Sequence, residues 1–300
     1  MTFRVALVCP VLLGTLSCGS LDLGDEANGG TAEMDRRSSD LGARDLGVIS
    51  PTDQDMEPPS DAGAGEDALP MDVFATDMDR PPSDCDYRFG SDGALRIEAE
   101  DLPLVDAWEI RSDEGGFSGR GYILWTGSSS NNRPGNGLMH LRLAIPEAGR
   151  YRFQWRNRIG RGDNTTEHND TWVRFPDAAD FYGLRIRQGE ESRRYPEPIC
   201  EDEDFMEGVR SRVAEARCAE GSTRDGWMKV YSSGARDWRW STRTSDNDAH
   251  DIFVEFDQAG TFTLELSQRA DFHLIDRLVL HREDLAQNEV EDERPSTPCL

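Results

Sequence analysis

Arg96-Ile97-Glu98-Ala99-Glu100-Asp101-Leu102 reads as a first β-strand. Side chains alternate across a strand, so Ile97 and Ala99 share one face and Glu98 and Glu100 the other. Neighbouring carboxylates repel until something neutralises them. A hard cation with oxygen ligands does this well, and Ca²⁺ suits glutamates best. The plainer alternative is a solvated strand face. A matching segment lies near the other end of the chain, Ile275-Asp276-Arg277-Leu278-Val279-Leu280.

Between these two segments the chain shows short alternating runs. Met139, Leu141, Leu143 and Ile145 fall on one face, and Pro146-Glu147-Ala148-Gly149 turns the chain. Tyr151, Phe153 and Trp155 then alternate with Arg152, Gln154 and Arg156. Further runs cover Thr171 to Phe175, Trp238 to Arg243, Ile252 to Phe256, Phe262 to Leu266, and Leu278 to Leu280. Many short period-two strands with turn punctuation predict an all-β, antiparallel jelly-roll β-sandwich. About 200 residues suffice for one such domain with a good core. One segment breaks the pattern. Across Glu201 to Arg217, Phe205, Val209 and Val213 recur every four residues, with acids early and arginines late. That spacing predicts one inserted amphipathic helix at about 201–217.

The start of the chain differs in kind. Arg4, the apolar run Val5 to Leu16 and the small residues around Cys18 resemble a bacterial lipoprotein signal. The run is too short to span a bilayer. Residues 1–18 are therefore expected to be a signal, with Cys18 lipidated and the protein exported and anchored at the cell envelope or surface. Residues 19–84 carry seventeen acidic residues against four arginines and few aromatics. They are expected to form a disordered acidic tether. Residues 85–300 form the folded domain. The whole chain carries a net charge of −25, and Lys229 is its only lysine. Without a basic field, nucleic acid is not an expected partner. Apart from Cys9 in the signal and Cys18, four cysteines remain, and an even number in an exported chain implies disulfides. Three pairings exist. Cys200–Cys218 staples the insertion and Cys85–Cys299 ties the domain ends, which makes this pairing the preferred one.

A family resemblance joins these features. Ile-Glu-Ala-Glu at Ile97, Gly116-Phe117-Ser118-Gly119-Arg120-Gly121-Tyr122, Ile145-Pro146-Glu147-Ala148-Gly149-Arg150-Tyr151 with Trp155-Arg156, Ala259-Gly260-Thr261-Phe262 and Ile275-Asp276-Arg277-Leu278-Val279-Leu280 follow in that order. Together they resemble carbohydrate-binding modules of families six and thirty-five, the galactose-binding-like sandwiches, over roughly Tyr87 to Glu283. The resemblance implies a structural calcium on Glu98, Glu100 and Asp276, and a polysaccharide or glycan as partner.

Sugars are held by an exposed aromatic face and by planar polar groups on a rim. Trp155, Trp172 and Trp240 are expected in the core. The ligand candidates are Trp125, Arg156, Asn169, Asp170, Trp227 and His273. Gly, Ser or Asp neighbours argue that Trp125 and Trp227 are exposed, so alanine at either should abolish binding and leave stability nearly unchanged. His273 is expected in the loop before Asp276.

Catalytic signals are sparse. There is no Gly-x-Ser-x-Gly elbow and no phosphate loop, so a non-catalytic domain is expected, working beside a companion enzyme. A structural or adhesive domain that binds protein is the alternative. A remoter one is an iron oxygenase using His168, Asp170 and His250, since His-x-Asp is the spacing of a facial triad.

Overall fold

The structure is a computed structural model that describes residues 84–299 except 222, 233 and 235. The expected signal, the lipidated Cys18 and nearly all of the acidic tether lie outside the described residues. No helix among the described residues is long and apolar enough to cross a membrane.

The first strands are β1 (Tyr87–Arg88), β2 (Ala94–Glu98), β3 (Trp108–Arg111), β4 (Tyr122–Trp125), β5 (Met139–Ile145) and β6 (Gly149–Ile159). Next come β7 (Asp170–Arg174), β8 (Asp180–Arg187) and β9 (Glu190–Tyr195), then helix α1 (Glu203–Arg210). The short strands β10 (Glu215–Cys218) and β11 (Thr223–Arg224) lead to β12 (Trp227–Tyr231), β13 (Arg239–Trp240) and β14 (Arg243–Thr244). The domain closes with β15 (His250–Phe256), β16 (Gly260–Gln268), β17 (His273–Arg282) and a one-turn helix, α2 (Gln287–Val290).

Pairing sorts the main strands into two layers. One runs β10-β9-β8-β15-β6-β17-β2, and the other β1-β5-β16-β7-β12. The hairpin β3–β4 joins the first layer at Ile123↔Ile275. All ladders are antiparallel except β1/β5 and β10/β9. The result is the expected β-sandwich. Its core is the set of inward residues of both layers: Ile97, Phe153, Trp155, Val254 and Leu278 from one, Leu141, Leu143, Val173, Val230 and Leu264 from the other, all buried. Period-two hydrophobicity in the sequence thus converts directly into two inner faces.

The insertion departs from expectation. Helix α1 is only eight residues long, capped by the Asp202 carboxylate accepting from Phe205 N at 3.0 Å. Val213 lies beyond it, packed against the same small core. Arg217 belongs to β10, which pairs in parallel with β9. The alternation Glu215-Ala216-Arg217-Cys218 buries Ala216 and suits an edge strand better than a fourth helical turn. Met206, Val209, Ala216 and Cys200 form a separate core with Tyr182, Leu184 and Phe253 on the outer face of the first layer. The hairpin β8–β9 that carries this contact has no counterpart in the sequence expectations. The structure joins Cys200 to Cys218 and Cys85 to Cys299, the preferred pairing. The second bond holds the C-terminal tail along β2, where Arg96 grips Asp292 through two hydrogen bonds of 3.0 Å.

Candidate functional site

Two clusters of polar groups stand out, one on the outer face of each layer. The first gathers the three carboxylates of the sequence analysis. Strand β2 ends at Glu98, and Ala99–Asp101 form a 3-10 turn, not further strand. The turn carries Glu100 round to the same place as Glu98. A Cβ added at Gly119 would stand 2.3 Å from Glu100 Oε1 and 3.2 Å from Glu98 Oε2, so both carboxylates close on one point. Gly119, at φ +63°, permits the turn that presents Ser118 to them. Asp276 arrives from β17, whose register against β6 slips by one residue between Ile275 and Arg277. Such a bulge re-aims a side chain, and Asp276 is fully buried. The Ser118 hydroxyl bridges Glu98 Oε2 at 3.0 Å and Asp276 Oδ1 at 3.2 Å, and Ser118 N donates to Asp276 Oδ1 at 2.8 Å.

Two arginines offset the charge. Arg277 pairs with Glu98 at 2.7 Å, and Arg156 pairs with Asp276. Glu100 accepts from Arg120 N, and its Oε2 is buried without a hydrogen-bond partner among the described residues. Burial raises the Glu98 carboxyl above its ordinary range, against the pull of Arg277 and Ser118; Glu100 and Asp276 add to the rise. Burial likewise raises Asp276 against Arg156.

The second cluster lies across β12, β7 and β16. In β12, Met228 and Val230 point into the core, and Trp227, Lys229 and Tyr231 take the other face. Asp170, Trp172 and Arg174 stand beside them from β7. Two adjoining clefts of about 360 and 430 Å³ share Thr166, Asn169, Asp170 and Arg269. His168, Glu167 and Asp271 complete one; Lys229, Tyr231, Asp246 and Asn247 complete the other. Each outward ring carries a cation: Arg269 lies 5.3 Å from Trp172, Arg174 4.6 Å from Trp227, and Lys229 5.4 Å from Tyr231. Each cation also has an acid: Asp170, Glu265 and Asp246 respectively. Asp170 is the pivot. It is 6% exposed, its Oδ2 takes Arg269, and its Oδ1 is buried without a hydrogen-bond partner among the described residues. Burial raises its carboxyl against the pull of Arg269.

The predicted ligand residues are therefore split. Asn169 and Asp170 line the clefts, and Asn169 also donates to Ser232 O at 3.1 Å. Arg156 belongs to the carboxylate cluster, where it faces the half-buried Trp238 at 5.6 Å. Trp125 and Trp227 are 7% and 4% exposed, contrary to expectation, so neither offers a free face to a sugar. Trp125 packs edge-on to Trp108 at 5.6 Å, and its indole donates to Ser128 O at 3.1 Å. His273 lies in β17 and not in a loop. It is fully buried between Thr171 Oγ1 at 2.8 Å and Asn157 Oδ1 at 3.2 Å, and burial lowers its pKa to about 3. Trp155 and Trp172 are both buried, as expected, Trp155 in the central core and Trp172 on the outward face against Arg269, while Trp240 is half-buried against a small outer cluster. Sequence reasoning missed Ser118, Arg277, Lys229, Tyr231, Asp246 and Arg269. The alternation Trp227-Met228-Lys229-Val230-Tyr231 was the available signal for two of them.

Among the described residues no group of three His, Cys, Asp or Glu side chains is arranged as a ready metal-ligand set. His168 bonds Asp271 and lines one cleft with Asp170, and His250, outside both clefts, bonds Ser192 on β9.

No family model matches the chain, and no curated protein matches it. Solved structures do. A mannanase of Podospora anserina carrying a family 35 module is 14% identical, with a TM-score of 0.34; 68% of this chain is covered, and this chain spans only 29% of that protein. The native family 35 carbohydrate-binding module of Clostridium thermocellum is 13% identical over 63% of this chain and 98% of the module, with a TM-score of 0.32. The family 35 module of Cellvibrio japonicus Abf62 is 14% identical over 62% of this chain and 91% of its own, again with a TM-score of 0.32. All three scores are below 0.5, and the sandwich assignment rests on the strand pairing itself.

Proposed function

We propose that this domain is a non-catalytic carbohydrate-binding domain whose glycan lies in the paired clefts around Asp170. The observation that carries this is the set of convergent, planar polar groups on one sheet face. Asn169, Asp170 and Arg269 stand beside Lys229 and Asp246, with Tyr231 as the half-buried ring between them. Vicinal sugar hydroxyls both donate and accept, and an acid–cation pair held side by side matches them. Asp170 Oδ1, buried and without a hydrogen-bond partner among the described residues, leaves an acceptor to be satisfied. Array screening of the whole chain against glycans tests this. Binding to one structural class is expected, and no binding to any class, with the fold intact, would favour the protein-binding alternative.

A structural calcium belongs to the same proposal. The donor set fits a hard cation: three carboxylates meet two arginines, which leaves a net negative charge, and the buried Glu100 Oε2 has no hydrogen-bond partner among the described residues. Glu98, Glu100 and Asp276 would hold the ion, and it would tie the two ends of the domain together. Anything that binds only the folded state stabilises it. With calcium at about a hundred times its dissociation constant the gain is about 2.7 kcal/mol. EDTA should therefore lower Tm by several degrees, and an unchanged Tm would remove calcium from the account. Two disulfides support export, and the proposed anchor is lipid on Cys18, which places the domain at the cell envelope, beside an enzyme acting on the same glycan.

A further inference from the structure

The insertion builds a cavity that shares no lining residue with the clefts proposed for glycan. It measures about 430 Å³ and lies where the insertion's small core meets the sandwich core. Phe175 and Phe181, with ring centroids 5.3 Å apart, form the sandwich side. Pro198, Ile199 and Phe205 form the other. The second wall is held in place independently. Phe205 stands edge-on to Tyr195 at 5.4 Å, the neighbouring Cys200 is bonded to Cys218, and Gly226 N donates to Glu197 O at 2.6 Å. Two cores that are each complete leave a gap at their seam, and such seams are where small-molecule sites form.

The charge at this cavity is one-sided. Asp180, Asp202 and Asp225 all line it. Among the described residues the Asp202 carboxylate accepts only from a backbone N–H, that of Phe205. The Asp225 carboxylate makes no ion pair among the described residues. Asp180 accepts from Tyr195 OH at 3.2 Å and faces Arg193 at 3.6 Å. The single cation among the lining residues, Arg174, is already taken: by Glu265 at 2.6 Å, by Asp225 O at 3.0 Å and by the Trp227 ring. Apolar walls suit a ligand with an apolar body, and three carboxylates repel an anion.

We propose that this cavity binds a small organic cation, a protonated amine carried on an aromatic or branched apolar body. The body displaces water from Phe175, Phe181, Ile199 and Phe205. The ammonium meets Asp180 and Asp225, and the ring faces add to its attraction. Burial, then the nearby Glu255 of β15, raise the Asp180 carboxyl to about 6; Tyr195 and Arg193 of β9 oppose the rise. It is therefore ionised at pH 7.5.

The test is an NMR titration of the full chain at pH 7.5 with phenethylamine, 2-phenylethanol and 3-phenylpropionate. The amine should bind roughly tenfold more tightly than the alcohol, the measure of one charge-assisted contact, and the carboxylate should not bind. Ala179→Trp, which fills the cavity from an exposed position, should abolish amine binding. Asp180→Asn should weaken it roughly tenfold; if that variant does not fold, Asp225→Asn, on an exposed turn, takes its place. No binding of the amine, equal binding of amine and alcohol, or amine binding untouched by Ala179→Trp would each overturn the proposal.

Discussion

Glu98→Gln should destabilise the domain by about 3–5 kcal/mol, the cost of breaking a buried pair by removing one partner. Arg277 is fully buried, and Glu98 is the carboxylate that meets it, at 2.7 Å. The remaining acceptors of Arg277 are the backbone oxygens of Asp292 and Arg294, which carry no full charge. Glutamine keeps the shape but leaves the guanidinium uncompensated. For a domain of this size each kcal/mol shifts Tm by about 2–4 °C, so the expected loss is roughly 6–20 °C. Denaturant unfolding of the two proteins side by side measures it. A difference under about 1 kcal/mol would mean that water reaches Arg277 and that the pair is an ordinary surface contact.

Trp125→Ala and Trp227→Ala should each cost about 3–5 kcal/mol of stability, as truncating a buried tryptophan does. Trp125 fills the space under Trp108 and against Gly137, where an added Cβ would stand 2.5 Å from its ring. Trp227 is 4% exposed, with the Arg174 guanidinium 4.6 Å from its ring. Any loss of glycan binding in these variants should follow loss of fold and vanish under conditions where the variant is still folded. A variant that melts like the parent yet no longer binds would restore these tryptophans to the sugar site.

These two tryptophans show where the sequence misleads. Gly127, a neighbour read as a sign of exposure, is glycine because the Trp125 ring takes the room a Cβ would need, and Gly137 meets the same ring from the far end of the loop. Elsewhere local pattern and burial agree. Met139 to Ile145 alternates into the core as written, and so do Tyr151 to Trp155 and Ile252 to Phe256. Glu98, Glu100 and Asp276 were legible as a group through the family resemblance, with the repulsion of paired acids on the first strand as the physical hint. Their means of meeting was not. It depends on a 3-10 turn after Glu98 and a bulge at Asp276, and neither leaves a period in the sequence. The helix was overread because Val213 keeps the four-residue spacing while belonging to the turn before β10. Asp170 was legible as a loop-end acid, but its partner Arg269 lies 99 positions away and only the pairing of β7 with β16 brings it near.

The central claim is that glycan binds around Asp170. Isothermal titration of the glycan selected by array, against the parent, Asp170→Asn and Tyr231→Ala, tests it most directly. A hydrogen bond to a charged acceptor contributes about 1.5–3 kcal/mol, so Asp170→Asn should weaken binding about 10- to 150-fold. Tyr231→Ala should also weaken it, and both variants should keep the parent's secondary structure. Parent affinity in both folded variants would contradict the account and move the ligand off this face of the sandwich.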